Sequence, residues 1–253
     1  MNFLKTKLEM NSIRRYEYLL SALPALEPIG SIPPMSKREM LERIIEANGP
    51  VESVEILLLG DDLVQYEALL AEEVMPDEID LAVISLDKAE SESVLPAFLL
   101  PEEQSHEQEN KRISVDDMWS RYFRHAAFIA KRTRSGFLKA WIGYEVGLRN
   151  ALVTARAHIL DLDSAAYLIA PELADQEKDY SYIISAWSAD SNPLSALEIL
   201  DKARWGWLEE NGRWYSFTAC EIEVYAAKLI LLHRWRRILS EKKQHKKTDV
   251  VQV

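Results

Sequence analysis

The stretch from Ser114 to Leu160 constrains the fold most, because it is long, lacks proline and repeats its apolar residues every three or four positions. This spacing predicts one or two long amphipathic helices. Ser114 followed by Asp117 is typical of a helix start, and polar residues from Asp161 to Ser164 predict the end. We therefore expect an all-α protein built around long central helices. The apolar positions are Met118, Trp119, Tyr122, Phe123, Ala126, Ile129, Phe137, Leu138, Trp141, Tyr144, Leu148, Leu152 and Ile159.

Three glycines, Gly136, Gly143 and Gly147, lie on one stripe of this stretch. Each costs about 1 kcal/mol relative to alanine in a helix interior. Close packing against a neighbouring helix would offset that cost, so we expect Gly143 and Gly147 to face another helix. The charged residues among them make a membrane span improbable. These are Lys139, Glu145, Arg149 and Arg156.

A second stripe of the same stretch places charged groups on a mostly apolar face. Glu145 and Arg149 are four residues apart and can pair within a helix, with Arg156 further along the same face. One interpretation is a partly buried ion pair that fixes the helix register. The other is a contact site for a partner protein.

Composition limits the class of protein. The chain has 253 residues, of which 48% are hydrophobic, enough for one large or two modest packed domains. The single cysteine, Cys220, excludes an internal disulfide and a thiol-rich metal site. No uncharged apolar run reaches the length of about 18 residues that a transmembrane helix needs. The sequence therefore predicts a protein that neither spans a membrane nor carries a secretory signal.

The net charge of −11 is divided unevenly along the chain. Residues 1–112 hold 10 basic and 23 acidic residues, whereas the remainder holds 20 basic and 18 acidic residues. We interpret the polar segment Pro101 to Lys111 as a linker or surface loop that marks the boundary between two regions. The predicted organisation is an acidic N-terminal helical region at 1–112, a long-helix region at 113–240 and a mobile basic tail at 241–253. One interpretation is that the acidic region and the nearly neutral remainder present surfaces to different partners. The other is that the acidic residues only keep the exposed faces of helices solvated.

Local signals predict shorter helices on both sides of the long stretch. The pair Ser36 and Glu39 has capping-box spacing and predicts a helix through Ile45. Two short helices, 51–59 and 63–73, are expected to be broken at Gly60-Asp61, and the segment 79–86 allows a short strand. Helices are also expected from Ser181 to Trp187, from Asn192-Pro193 to Asn211-Gly212, and from Thr218 to about Ser240, the last packed centrally against the long stretch.

No catalytic chemistry is predicted. The sequence has no phosphate-binding loop, no nucleophile elbow and no clustered metal ligands, so we expect no catalytic residue, cofactor or metal. Three arginines, Arg234, Arg236 and Arg237, surround Trp235. One interpretation is that this cluster and the lysine tail bind nucleic acid or anionic lipid. The favoured one is an ordinary helix end, because the chain is acidic overall and basic residues favour the carboxyl end of a helix. A hydrolase or transferase with an unrecognised site is the least favoured class.

Three segments carry a family resemblance. The pattern E-x4-N-x5-R formed by Glu145, Asn150 and Arg156 resembles the repeated motif of the C/d-type subunit of rotary V/A-type ATPases, whose eukaryotic form is called d. The pattern Tyr225-x-x-Lys228 followed by Arg237-Ile238 is similar to the closing helix of that family. The segment from Tyr16 to Pro24 resembles a bacterial family of unassigned function found beside V/A-type ATPase subunits.

The resemblance implies a funnel-like bundle of helical repeats that is not an enzyme. It would be a peripheral adaptor at the cytoplasmic face of the cell membrane, with the central stalk and the proteolipid ring as partners. Nucleic acid would not be a partner, and membrane association would come only through these subunits. The alternatives are an assembly or regulatory factor of that ATPase, or an unrelated helical scaffold. The interface or structural candidates are Glu145, Arg149, Asn150, Arg156, Tyr225, Lys228 and Arg237.

Two positions depart from the family pattern on the closing helix. Leu232 lies near a position where the family tends to carry an acidic residue, and Trp235 lies where a polar residue is common. These departures affect the expected contacts with the stalk more than the expected fold.

Overall fold

The computed structural model describes residues 16–75, 78–85, 95–100 and 115–251, with side chains up to residue 240. Every regular element in these ranges is helical, which confirms the all-α class. Three 3-10 helices cover Ala97–Leu99, Ser164–Tyr167 and Pro171–Leu173 of the described chain. The α-helices are α1 at residues 16–22, α2 at Lys37–Glu46, α3 at Val51–Leu70, α4 at Val115–Thr133, α5 at Gly136–Ile159, α6 at Ser181–Ala189, α7 at Pro193–Asn211 and α8 at Ala219–Val251.

The chain folds into two compact units. The terminal unit contains residues 1–58 and 197–253, and the middle unit contains residues 59–196. The predicted linker and the start signal at Ser114 lie outside the described residues, so the predicted division near residue 112 stays a prediction. The stretch from Ser114 to Leu160 and the helix after Thr218 belong to different units, and their expected central packing also stays a prediction.

The long stretch forms two helices, α4 and α5, which pack against each other in the middle unit. The break falls at Arg134, whose φ of 57° is left-handed and ends α4. Ser135 then caps α5, because its hydroxyl accepts the Leu138 N–H at 2.9 Å. The six apolar positions that the spacing identified on α4, from Met118 to Ile129, are buried. At the other end, Asp161 has a φ of 54° just after α5.

Helix α3 corrects one prediction, because it runs unbroken from Val51 to Leu70 through Gly60 and Asp61. Gly60 permits the close approach of Tyr122, whose ring Cζ lies 3.0 Å from where a β-carbon would be. Asp62, two residues after Gly60, is buried. Its carboxylate accepts the Val83 N–H of a loop and does not end the helix. Tertiary contacts therefore override the helix-breaking signal of Gly60.

In the terminal unit, α2 packs against α8. The predicted cap of α2 is confirmed, because the Ser36 hydroxyl accepts the Glu39 N–H at 3.0 Å. His233 on α8 lies 2.9 Å, ring nitrogen to carbonyl oxygen, from Met35 just before α2. Residues 222–233 of α8 are all buried, including the polar or charged residues Glu223, Lys228 and His233. The segment from Val224 to Leu232 is apolar on nearly every face, which is typical of a helix that is central to a fold.

Two further expectations about helix ends are corrected. Helix α8 continues to Val251, so the predicted end near Ser240 is wrong. The sequence from 241 to 251 contains neither glycine nor proline, and the helical hydrogen bonding therefore has no local breaker. At the start of α8, Thr218 and Glu221 have the spacing of a capping box, in which Glu221 would accept the Thr218 N–H. The Glu221 carboxylate instead accepts the N–H groups of Tyr215 and Phe217. The described part of segment 79–86 is irregular rather than a strand. The mobility predicted for 241–253 stays a prediction.

Candidate functional site

The seven candidate residues fall into two sets, one in each unit. Glu145, Arg149, Asn150 and Arg156 lie on α5 in the middle unit. The other three, Tyr225, Lys228 and Arg237, lie on α8 in the terminal unit.

Asn150 makes the most specific contact of the α5 set. Its side-chain amide donates to the Ile169 carbonyl at 2.9 Å, and its side-chain oxygen accepts the Ile169 N–H at 2.9 Å. Both residues are buried. Asn150 thus satisfies both the N–H and the carbonyl of Ile169. These two bonds hold the segment that follows the 3-10 helix Ser164–Tyr167 against the middle of α5. An apolar side chain could make neither bond.

Arg149 and Arg156 hold α5 to two other helices through aromatic rings. The guanidinium of Arg149 lies 4.6 Å from the ring centre of Trp119 on α4. Arg156 lies 5.3 Å from the ring centre of Trp187 on α6. Trp119 is itself fixed, because its indole N–H donates to Glu67 on α3 at 3.0 Å. Such cation–π contacts are worth about 0.5–2 kcal/mol each, more when they are shielded from water.

Glu145 is half-buried on α5 and acts electrostatically on two buried tyrosines. Burial raises the pKa of Tyr122 above its usual value, and the charge of Glu145 adds to that shift. Burial likewise raises the pKa of Tyr180, with the charges of Asp175 and Glu145 adding to it. The ion pair expected between Glu145 and Arg149 stays a prediction.

Of the three glycines on α5, Gly147 alone is closely packed, and its neighbour lies in a connecting segment rather than in the α-helix that the stripe predicted. A β-carbon on Gly147 would lie 2.7 Å from the ring Cζ of Tyr180, the residue that precedes α6. The Tyr180 hydroxyl donates to the Tyr144 carbonyl at 3.1 Å. At Gly143 a β-carbon would make ordinary contact, 3.5 Å from the Leu173 carbonyl oxygen. Gly136 is exposed with open space beside it, so it has no packing role of this kind.

On α8, Tyr225 and Lys228 connect the helix to the rest of the terminal unit. The Tyr225 hydroxyl donates to the Pro24 carbonyl at 3.0 Å, and burial raises the pKa of Tyr225 to about 12. The Lys228 ammonium is paired with Glu209 and lies over the rings of Trp205 and Trp214, at 4.7 and 4.3 Å from their centres. Burial lowers the pKa of Lys228, and the hydrogen bond to Glu209 opposes that shift. Arg237 is half-buried.

Sequence reasoning missed a buried carboxylate at the centre of the terminal unit. Asp201 on α7 is fully buried and accepts hydrogen bonds from Arg204 at 2.9 Å, Arg234 at 3.1 Å and the Trp235 indole at 3.0 Å. Arg234 and Trp235 of the basic cluster are thus used inside the protein. The available signal was the Asp201–Arg204 pair on the apolar stripe of α7.

A second missed group lies at the start of the middle unit. The buried Asp62 carboxylate accepts the N–H groups of Ala82, Val83 and Ile84 at 2.7–2.9 Å. Gln65, one turn further along α3, bonds both the N–H and the carbonyl of Asp80, at 2.8 and 3.1 Å. Together these side chains hold the irregular segment 78–85 against α3. No sequence signal identified them, because their partners are backbone groups.

An open cleft of about 550 Å³ lies beside α4. His125 stacks on Phe98 with ring centres 3.7 Å apart, and its pKa is lowered by burial and by the charge of Arg132. Arg124 donates to Glu172 at 2.8 Å, so part of the positive charge is offset within the protein. The lining residues are Phe98, Asp117, Ser120, Arg121, Arg124 and His125.

The described ranges contain neither a metal-ligand cluster nor a membrane-spanning helix. No group of three or more His, Cys, Asp or Glu side chains there is arranged to hold a metal ion. None of the helices in those ranges is both long and apolar enough to pass through a bilayer.

Comparison with protein-family models, with curated proteins and with solved structures found no match to this chain. The candidate residues are therefore interpreted from their own contacts.

Proposed function

We propose that this chain is a non-catalytic subunit of a V/A-type ATPase, a peripheral adaptor between the central stalk and the proteolipid ring. One observation carries the proposal. Two residues of the E-x4-N-x5-R pattern, Asn150 and Arg156, contact different neighbours of α5 in the middle unit, and Arg149, next to Asn150, contacts a third. A protein that transmits torque needs such contacts between its helices, because the helices must not slide past one another under load.

Helix α8, which resembles the closing helix of the family, is also held by contacts of its candidate residues. Tyr225 ties α8 to the segment after α1, and Lys228 ties it to α7 and to the loop that carries Trp214. Tyr225 and Lys228 are buried, which strengthens their polar interactions, whereas Glu209 and Trp214 remain 50% and 41% exposed. Rigidity at the residues that resemble the family motif supports an adaptor more than a catalytic role.

Charge supports two different partner surfaces. The middle unit, residues 59–196, holds 25 acidic and 12 basic residues, whereas the terminal unit holds 16 acidic and 18 basic residues. Exposed charges orient partners and speed their encounter, but each pair is worth only about 0–1 kcal/mol. Firm attachment therefore has to come from apolar contacts. Attachment to the membrane would be indirect, through the ring, at the cytoplasmic face, and the helices would form the funnel that the resemblance implies.

The test is co-purification from native membranes solubilised in mild detergent. A tagged full-length chain should retain the central-stalk and proteolipid subunits at low salt and at about 0.5 M salt, since apolar contacts persist when charges are screened. The same tag on an unrelated acidic helical protein is the control. Recovery of the chain as a monomer without any ATPase component at either salt would refute the proposal.

A further inference from the structure

We propose that the tip of α5 inserts into an apolar pocket on another protein whose rim carries lysine or arginine. The tip consists of Ile159, Leu160, Asp161, Leu162 and Asp163. The inference rests on the proposed function, so the pocket belongs to another component of the V/A-type ATPase.

Exposure of aliphatic side chains is the first observation. Ile159 is 69% exposed, Leu160 65% and Leu162 48%, within four consecutive residues. Single exposed aliphatic residues are common on protein surfaces, but a contiguous group of them indicates a contact site. The nearby Tyr167 is also 45% exposed and extends the apolar character of this end of the unit.

Hydrogen bonds hold the backbone of the tip, so the exposed side chains project from a defined turn. Asp161 takes a left-handed conformation with φ of 54°. The Leu162 N–H donates back to the Ala157 carbonyl at 2.9 Å, a hydrogen bond typical of a capped helix end. The Asp163 carboxylate then accepts the Ala165 N–H at 3.0 Å. A surface that is ordered before binding loses less entropy when a partner arrives.

Charge identifies the chemistry of the partner. Two carboxylates, Asp161 and Asp163, alternate with the leucines, and both are exposed. The nearest arginine along the chain, Arg156, lies over the Trp187 ring on α6. The acidic rim favours a basic protein surface. It disfavours a membrane, because the cytoplasmic leaflet is itself negatively charged.

Site-specific photo-crosslinking tests the contact directly. A photoreactive amino acid replaces Leu160 in the tagged full-length chain, and the matched control carries it at Leu70. Leu70 ends α3 in the same unit and is 60% exposed, so the two probes meet water to a similar extent. We expect adducts with a stalk or ring protein from position 160 and none from position 70.

Substitutions separate the apolar and the charged contributions. The double variant Leu160→Ser with Leu162→Ser should weaken co-purification more than about tenfold, as loss of a buried anchor does, whereas Leu70→Ser should not. Asp161→Asn with Asp163→Asn removes both charges but keeps the left-handed turn, which asparagine adopts readily, and the cap. That variant should bind roughly threefold to tenfold more weakly at low salt and like the parent at about 0.5 M salt.

The outcomes distinguish the two proposals. If the parent chain retains the ATPase subunits but position 160 forms no adduct, or the serine variant binds like the parent, the tip inference is wrong and the adaptor proposal stands. Adducts only with lipid or with a second copy of this chain also overturn the tip inference. If the parent chain retains no ATPase component, the adaptor proposal fails and the tip inference fails with it.

Discussion

Asn150 offers the sharpest test of how the middle unit is held together. Replacing it by leucine keeps a similar volume but removes both hydrogen bonds to Ile169. The Ile169 N–H and carbonyl then lie beside an apolar side chain, in a place where Ile169 itself is 1% exposed. A buried polar group left without a partner costs about 1–3 kcal/mol. With two such groups and partial relaxation, we expect Asn150→Leu to cost about 2–4 kcal/mol.

Urea unfolding followed by circular dichroism measures this cost. With a urea dependence of about 2 kcal/mol per molar, the midpoint should fall by about 1–2 M. Gln176→Leu is the matched control, because Gln176 is an exposed amide in the same unit with one long bond of 3.4 Å to the Ala174 carbonyl. Its free energy of unfolding should stay within about 0.5 kcal/mol of the parent. Equal effects of the two substitutions would refute the argument.

Asn150→Asp adds a pH-dependent test of the same contact. The carboxylate still accepts the Ile169 N–H but faces the Ile169 carbonyl without a proton to donate. Protonation restores a donor, so the folded state should bind a proton more tightly than the unfolded state. The stability of this variant relative to the parent should therefore rise as the pH falls and be lost as the pH rises. A difference in stability that is independent of pH would contradict the assigned hydrogen bonds.

Three further predictions concern the packing and charges of the two units. Gly147→Ala should destabilise by about 1–3 kcal/mol in thermal unfolding because its β-carbon meets a buried ring, whereas Gly143→Ala should be neutral or stabilising; the reverse order would contradict the packing. Asp201→Asn should cost about 3–5 kcal/mol in urea unfolding, since it removes a fully buried carboxylate charge that accepts from two mostly buried guanidinium groups, while Glu198→Gln at an exposed ion pair should cost less than about 1 kcal/mol; similar costs would refute the buried network. Because burial raises the pKa of Tyr225 to about 12, its contribution to stability is present below pH of about 10 and is lost between about 10 and 12. Between these pH values, the free energy of unfolding of Tyr225→Phe, measured by urea titration, should therefore fall less than that of the parent. Identical dependence on pH in the two proteins would contradict the raised pKa of Tyr225.

The sequence predicted those parts of the fold that depend on neighbouring residues in the chain. The cap at Ser36 and the start of α7 at Asn192-Pro193 are confirmed, because each is a contact between residues two or three positions apart. The break of α3 predicted at Gly60 is wrong, because its close neighbour Tyr122 is distant in the chain. A helix-breaking signal thus has little weight where a tertiary contact requires a small residue.

The sequence pattern identified the candidate residues but not the groups that they contact. Asn150 bonds a backbone 19 residues away, and Arg149 meets a ring on the preceding helix. The glycine stripe correctly indicated close approach at Gly147, but the partner is a tyrosine in a connecting segment. The burial of Asp201 was not predicted, because a single acidic residue in a helix usually faces water. Local spacing reveals which side chains share a face, and not what covers that face.

The most direct test of the adaptor proposal compares ATP hydrolysis with ion pumping in membrane vesicles. In vesicles from cells lacking this chain, ATP-driven ion pumping should be absent while the nucleotide-hydrolysing subunits remain active. Adding the purified full-length chain should restore pumping in proportion to the amount bound, because an adaptor acts within the finished complex. Normal pumping without the chain, or no recovery on adding it back to vesicles that retain stalk and ring, would contradict the adaptor role.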